Sequence, residues 1–177
     1  MRCCHNGDGK KEGPGSPRVV ITGWPNVGKS VLFNQLTGRY VTVSNYPGTT
    51  VEVSRGHALI EDRAFEVIDT PGLYTLLPVS EEERVARRIL LYEKPSLVVH
   101  VAEARNFEKM LPLTIQLIES SLPTLLVLNM MDEAQKAGVR LDLGHLEKNL
   151  GVPVVGTVGT KGRGVGFLKK RIAENAL

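Results

Sequence analysis

The sequence predicts an α/β chain, a three-layer sandwich in which about five helices cover both faces of a mostly parallel, six-stranded sheet. Three observations carry that prediction. Apolar runs bounded by turn residues alternate with helical patterns from Arg18 onward, four of those runs are apolar at nearly every position, and a glycine-rich turn joins the first run to the first helix. In order, strands are expected at Val19 to Thr22, Val51 to Ile60, Phe65 to Ile68, Leu97 to Ala102, Thr124 to Leu128 and Val152 to Val155. Helices are expected at Ser30 to Leu36, Glu81 to Tyr92, Asn106 to Ser120, Leu143 to Leu150 and Val165 to Ala176. Ser80 with Glu83 three places on is a capping box, which supplies acceptors to free amides at the start of the second helix. Only the charged Glu61 to Arg63 separates the second and third strands, so they read as a hairpin adding one antiparallel edge strand. Pro112 is expected to kink or restart its helix.

The composition agrees with a globular domain. The chain has 177 residues, 42% hydrophobic and 23% charged, and can bury a core without disulfides or a structural metal. Its longest uncharged apolar stretch, Leu122 to Met131, is far short of a membrane span. Two adjacent cysteines and the lack of an apolar leader after Met1 point to a reducing cytoplasm. A formal charge of +3 is too balanced to demand a nucleic-acid partner, and none is expected. Met1 to Pro17, with its glycines and prolines, reads as a disordered tail ahead of a single domain over residues 18–177. Cys3, Cys4 and His5 form a soft-ligand cluster on that tail, but three ligands in succession lack the spacing of a structural zinc site.

The chemistry sits in three motifs, each at the carboxyl end of an expected strand, where open α/β sheets bind ligands. The first is G-W-P-N-V-G-K-S, Gly23 to Ser30, a complete phosphate-binding loop between strand and helix. Glycine at Gly23 and Gly28 lets the backbone curl with its N–H groups inward, and Gly23, Asn26, Val27, Gly28, Lys29, Ser30 and Val31 are expected to cradle the phosphates. Lys29 would set its charge on the β- and γ-phosphates and Ser30 its hydroxyl on magnesium. The second is Asp69-Thr70-Pro71-Gly72, in which Asp69 can hold magnesium through water and the Gly72 amide can meet the γ-phosphate. Thr49 and Thr50, in the loop Tyr46 to Thr50, each offer a hydroxyl to the same shell. The third is Asn129-Met130-Met131-Asp132: a carboxylate at Asp132 accepts from guanine N1–H and the 2-amino group, a donor pair that adenine lacks, so the pattern points to GTP and GDP.

Taken together, P-N-V-G-K-S, Y-P-G-T-T-V-E, D-T-P-G-L-Y-T-L, V-A-E-A-R-N-F-E and N-M-M-D-E-A with G-V-R-L-D-L resemble the cytosolic G domain of FeoB-type ferrous-iron transporters, a translation-factor-class GTPase fold, over Arg18 to about Ala176. The resemblance implies that Thr50, ahead of Thr49, is the magnesium-binding threonine of switch I, and that Asn26 ligates a stimulating potassium ion. It implies catalytic roles for Lys29, Thr50 and Gly72, and guanine contacts from Asn129, Met130, Asp132 and the loop Val158, Gly159, Thr160 that precedes Lys161. Leu73 stands where Ras-like proteins carry a catalytic glutamine, so hydrolysis is expected to be slow and cation-assisted. Met130 replaces a lysine common at that position and Gly159 replaces a bulkier residue, which predicts looser nucleotide binding and a less rigid loop. GTP would order the loops Gly38 to Thr50 and Thr70 to Val79. By the same resemblance the partner is a membrane transport domain in the same or a separate chain, with a homo-oligomer possible, at the inner face of the cell membrane. Three alternatives stand beside it: a GTPase of the Era or EngA type linked to the ribosome or RNA, a module that holds nucleotide with little turnover, and a metal-binding protein centred on Cys3, Cys4 and His5 with the G domain as platform.

Overall fold

A computed structural model describes residues 16–38 and 41–176. The cluster Cys3, Cys4 and His5, and the expected tail up to residue 15, lie outside the described residues. Pro17, expected in that tail, already belongs to the fold: its carbonyl accepts the Glu66 N–H at 3.1 Å.

Seven strands and six helices follow one another: β1 (Arg18–Thr22), α1 (Lys29–Thr37), β2 (Val41–Asn45), β3 (Glu52–Ile60), β4 (Arg63–Asp69), α2 (Glu81–Tyr92), β5 (Leu97–Glu103), α3 (Phe107–Glu119), β6 (Thr124–Asn129), α4 (Met131–Lys136), α5 (Leu143–Leu150), β7 (Val154–Gly156) and α6 (Val165–Asn175). The sheet order is β2-β3-β4-β1-β5-β6-β7. It is parallel from β4 through β7 and antiparallel at β2/β3 and β3/β4. The expected α/β architecture therefore holds, with one more strand and one more helix than the sequence predicts. The added strand, β2, is exposed at every residue and pairs only with β3, so no buried face marks it as a strand. The added helix, α4, spans six residues, too few to display a helical period.

The predicted hairpin forms, but its outer strand β3 is not the expected edge, because β2 pairs antiparallel along its far side. Glu61 and Asp62 make its turn with φ of 47° and 63°, the left-handed pair that a two-residue hairpin turn needs, here without glycine. Pro112 does not break its helix. α3 runs unbroken from Phe107 to Glu119 with Pro112 on its solvent-exposed side, where water can reach the carbonyl that the missing N–H leaves free.

Two apolar clusters lie on the two faces of the sheet. Strand alternation sends Val19, Ile21, Val67, Val99 and Val101 towards α1 and α6, and Val20, Ile68 and Val98 towards α2 and α3. α1 contributes Leu32, Phe33 and Leu36 to the first cluster, and α2 contributes Val85, Ala86, Ile89 and Leu90 to the second. At the end of the sheet opposite the motifs, Arg18 and Arg55 pair with Glu66 and Glu93, at 2.8 Å for Arg18–Glu66 and 2.7 Å for Arg55–Glu93, and so bind the end of α2 to β1, β3 and β4. No helix among the described residues is long and apolar enough to cross a membrane.

The capping box is present: the Glu83 N–H donates to Ser80 Oγ at 3.2 Å, and the Ser80 N–H donates to Glu83 Oε2 at 3.3 Å. Ser80→Ala should cost about 1 kcal/mol and lower the Tm by about 2–4 °C in a thermal melt; an unchanged Tm would show that the cap contributes nothing. A second prediction concerns His100, fully buried on β5 with Nδ1 at 3.0 Å from Thr114 Oγ1. Burial first, and the Lys29 charge second, push its imidazole down to about 3 from 6.5. The unfolded chain therefore takes up a proton that the folded one refuses as the pH falls through that window. Stability is fully present above about 6.5 and declines towards about 3, and His100→Gln should flatten that slope in urea titrations across pH.

Candidate nucleotide-binding site

The site begins at Gly23, where β1 leaves the sheet. Gly23 has φ 143°, and a Cβ there would lie 2.1 Å from the Val101 carbonyl oxygen of β5, so the first loop glycine answers to the neighbouring strand. Gly28 has φ 91°, and its Cβ would meet the Asn129 side chain at 2.3 Å. Both glycines are thus enforced by the packing of the loop as well as by its curl. Asn26 also takes positive φ, 64°, and its exposed side chain makes no hydrogen bond among the described residues.

Lys29 is buried at the head of α1, and its Nζ donates to the Trp24 carbonyl at 2.8 Å, across the loop. Ser30 Oγ donates to Asp69 Oδ2 at 2.7 Å, so the expected magnesium hydroxyl and carboxylate, 39 residues apart in the chain, touch each other. Burial pushes the Lys29 ammonium down, which nearby Asp69 partly offsets, and pushes the Asp69 carboxyl up, which the Ser30 hydroxyl and Lys29 partly offset. Asp69 Oδ1 is buried with no hydrogen-bond partner. A buried cation and a buried carboxylate with spare bonding capacity suit a ligand that carries both anionic oxygens and a divalent ion.

Gly72 lies against the loop. A Cβ there would stand 2.5 Å from Pro25 Cγ, and the next amide, Leu73 N–H, donates to the Gly23 carbonyl at 3.0 Å. The Leu73 side chain is fully buried in the cluster beneath α2. Thr49 Oγ1 donates to the Tyr46 carbonyl at 2.9 Å and accepts from Val51 N–H, closing a turn, whereas the Thr50 side chain is exposed and without a hydrogen bond among the described residues. Thr50 is therefore the hydroxyl at liberty, although the structure does not bring it into contact with Ser30 or Asp69.

Asn129 ends β6 and is 3% exposed. Its Nδ2 donates to the Val27 carbonyl at 2.9 Å, and its Oδ1 accepts from Thr157 Oγ1 at 2.9 Å and from Gly159 N–H at 3.0 Å. Through this one amide the phosphate loop, β6 and the Val158–Thr160 loop hold together. Gly159 is not slack. Its added Cβ would lie 3.3 Å from both Val31 and Leu32 of α1, so a larger residue would press on α1, and the turn Gly159–Lys161 is closed by a Val158–Arg163 bridge. Met130 takes φ 60° at the start of α4, and Asp132, two residues on, pairs with Lys161 at 2.6 Å.

Sequence reasoning missed three contributors. Glu83 does more than cap: its carboxylate also accepts from Tyr74 N–H and from Val79 N–H at 2.8 Å, folding the 74–80 segment over α2. Gln116 of α3 accepts from Leu76 N–H at 2.8 Å. The Trp24 ring packs edge-on against Tyr74, centroids 4.9 Å apart, so the aromatic residue inside the phosphate loop meets the segment after Gly72. The spacing of Ser80 and Glu83 signalled only the cap, and nothing in the local pattern signalled the other two contacts.

Comparison with known proteins agrees with this geometry. The family described as Ferrous iron transport protein B matches residues 17–172. The Fe(2+) transporter FeoB of Salmonella typhimurium is 41% identical over 158 residues, covering 87% of this chain and 20% of that protein, so the chain spans about a fifth of such relatives. The cytosolic domain of the T. maritima FeoB iron transporter in its GMPPNP form superposes with a TM-score of 0.87 at 40% identity, over 90% of this chain and 64% of that one. The FeoB G-domain from Methanococcus jannaschii superposes with a TM-score of 0.80 at 39% identity, over 91% of this chain and 97% of that one. A phosphate loop after β1, a carboxylate at the end of β4 and N-x-x-D after β6, on a sheet shared with these domains, place the chain in the FeoB family, as its G domain with the P-loop GTPase fold.

Proposed function

We propose that the chain is a GTP-binding and GTP-hydrolysing switch domain, magnesium-dependent and potassium-stimulated, that regulates ferrous iron transport across the membrane. The observation that carries this reading is the contact of Ser30 with Asp69 at 2.7 Å beside buried Lys29, with Asp69 Oδ1 left unpartnered. The kinship with FeoB transporters, one of them solved with GMPPNP, supports the nucleotide and the iron-transport role.

Each residue then has a task. The backbone N–H groups of Asn26 to Val31 face the phosphates, and Lys29 turns from the Trp24 carbonyl to a phosphate oxygen, which repairs the cost of its burial. Ser30, Thr50 and Asp69 would hold magnesium and Asn26 potassium; these ions supply positive charge against the phosphate oxygens. Gly72 directs its amide to the γ-phosphate, and a side chain there would strike Pro25. Leu73, buried and apolar, orients no water, so backbone groups must position the nucleophile and turnover is slow. Asp132 reads guanine, while Asn129 fixes the loops that frame the base. Reorganisation after Gly72 would pass to α2 through Glu83 and to α3 through Gln116, a route by which a membrane transport domain could sense the γ-phosphate.

The buried Leu73 also favours a second reading, a domain that holds nucleotide with little turnover. One experiment separates them. Phosphate release from GTP, at fixed magnesium and ionic strength, should rise in potassium over sodium chloride, and Asn26→Ala should abolish the rise; release absent in both salts with GTP still bound would leave only the holding module. Lys29→Ala should weaken guanine-nucleotide binding about 10- to 100-fold in titration calorimetry, the worth of a lost charge-assisted hydrogen bond, and unchanged affinity would contradict the assignment of the loop.

A further inference from the structure

Lys161 lies beyond the three motifs, yet its side chain holds the one carboxylate on which base recognition depends. Asp132 Oδ2 receives the Lys161 ammonium at 2.6 Å, and Asp132 Oδ1 receives the Glu133 N–H at 3.1 Å. Guanine needs both oxygens, one for N1–H and one for the 2-amino group. In this structure each already accepts one hydrogen bond, and the Lys161 charge draws on the acceptor strength of Oδ2. The pairing is built in, because the two backbones are locked to each other: Gly159 N–H and Thr157 Oγ1 are both bonded to Asn129 Oδ1, and the Lys161 N–H closes its turn on the Val158 carbonyl. Only the Lys161 side chain can yield, and at 56% exposure it swings into water without unfolding anything. The ammonium also holds the Asp132 carboxyl below its ordinary range, so the latch keeps the group charged and acceptor-only.

We propose that Lys161 is a positioning residue that competes with guanine for Asp132, loosening the grip on guanine nucleotides and narrowing their advantage over hypoxanthine nucleotides. The inference rests on the guanine-nucleotide reading above. A guanine must share one oxygen with the Lys161 ammonium, or displace it, and share the other with the backbone amide. A hypoxanthine base, which lacks the 2-amino group, offers a single donor and leaves one carboxylate oxygen to Lys161. The competition therefore taxes guanine more than hypoxanthine, and the size of the effect is that of a partly exposed ion pair.

The test is equilibrium and stopped-flow binding of fluorescent GDP and IDP to the wild type, Lys161→Met and Lys161→Arg. Methionine keeps the apolar stem and removes the charge, and arginine keeps the charge. Lys161→Met should bind GDP about two- to five-fold more tightly, with the gain in association rate, and bind IDP with a smaller gain. Lys161→Arg should behave as the wild type. GDP and IDP affinities that are unchanged, weakened or raised equally in Lys161→Met would overturn the latch while the nucleotide reading stands, as would an arginine variant that mimics methionine. A wild type that binds neither nucleotide would overturn the nucleotide reading itself, and the latch with it.

Discussion

The architecture of the site depends on the side-chain amide of Asn129. It lies almost out of water at the end of β6 and spends its capacity on three different segments: the phosphate loop through Val27, the residue after β7 through Thr157, and the turn that carries Lys161 through Gly159. A buried amide of this kind is costly if any partner is lost, since each orphaned group forfeits about 1–3 kcal/mol. That penalty makes the arrangement all-or-none. The phosphate loop cannot drift from the base-framing loop without exposing several unsatisfied groups at once, so two halves of the site, more than 100 residues apart in sequence, are set as one body.

Around that fixed frame sit groups under electrostatic tension. Lys29 and Asp69 are both desolvated, shifted in opposite senses, and partnered by neutral groups, a carbonyl and a hydroxyl. Such charges are held ready for an anionic ligand with its cation, and the unpartnered Asp69 Oδ1 marks where that capacity is unspent. The segment after Gly72 is fastened differently, by Glu83, Gln116 and the Trp24–Tyr74 contact. These are a few hydrogen bonds and one aromatic edge on an otherwise exposed stretch, in which Leu77 and Val79 face water. A rigid frame around Asn129 beside a lightly tethered segment after Gly72 is the mechanical division that the proposed switch requires.

Much of this was legible along the chain. The strands with two covered faces announced themselves as unbroken apolar runs, and the hairpin by its charged turn. β2 was not legible, because an exposed edge strand has no buried face to impose a pattern, and it is held only by hydrogen bonds to β3. Pro112 does not restart its helix, because its cost depends on whether the freed carbonyl can reach water, which the position on the helix surface decides and the residue type does not. At Gly159 the residue type shows only conformational freedom, whereas the fold sets it where an added Cβ would press on α1.

What the sequence determined by itself was the chemistry of each motif, since glycine curvature, a lysine beside a serine, and a carboxylate two residues after Met130 carry their function in residue type and local spacing. What only the tertiary structure decided was which of these groups meet and what occupies them. Ser30 with Asp69, Asn129 with Gly159, Trp24 with Tyr74 and Asp132 with Lys161 are pairs joined across distant segments. No local rule encodes them. They arise where parallel strands place their carboxyl ends side by side, so the loops between them converge from every part of the chain.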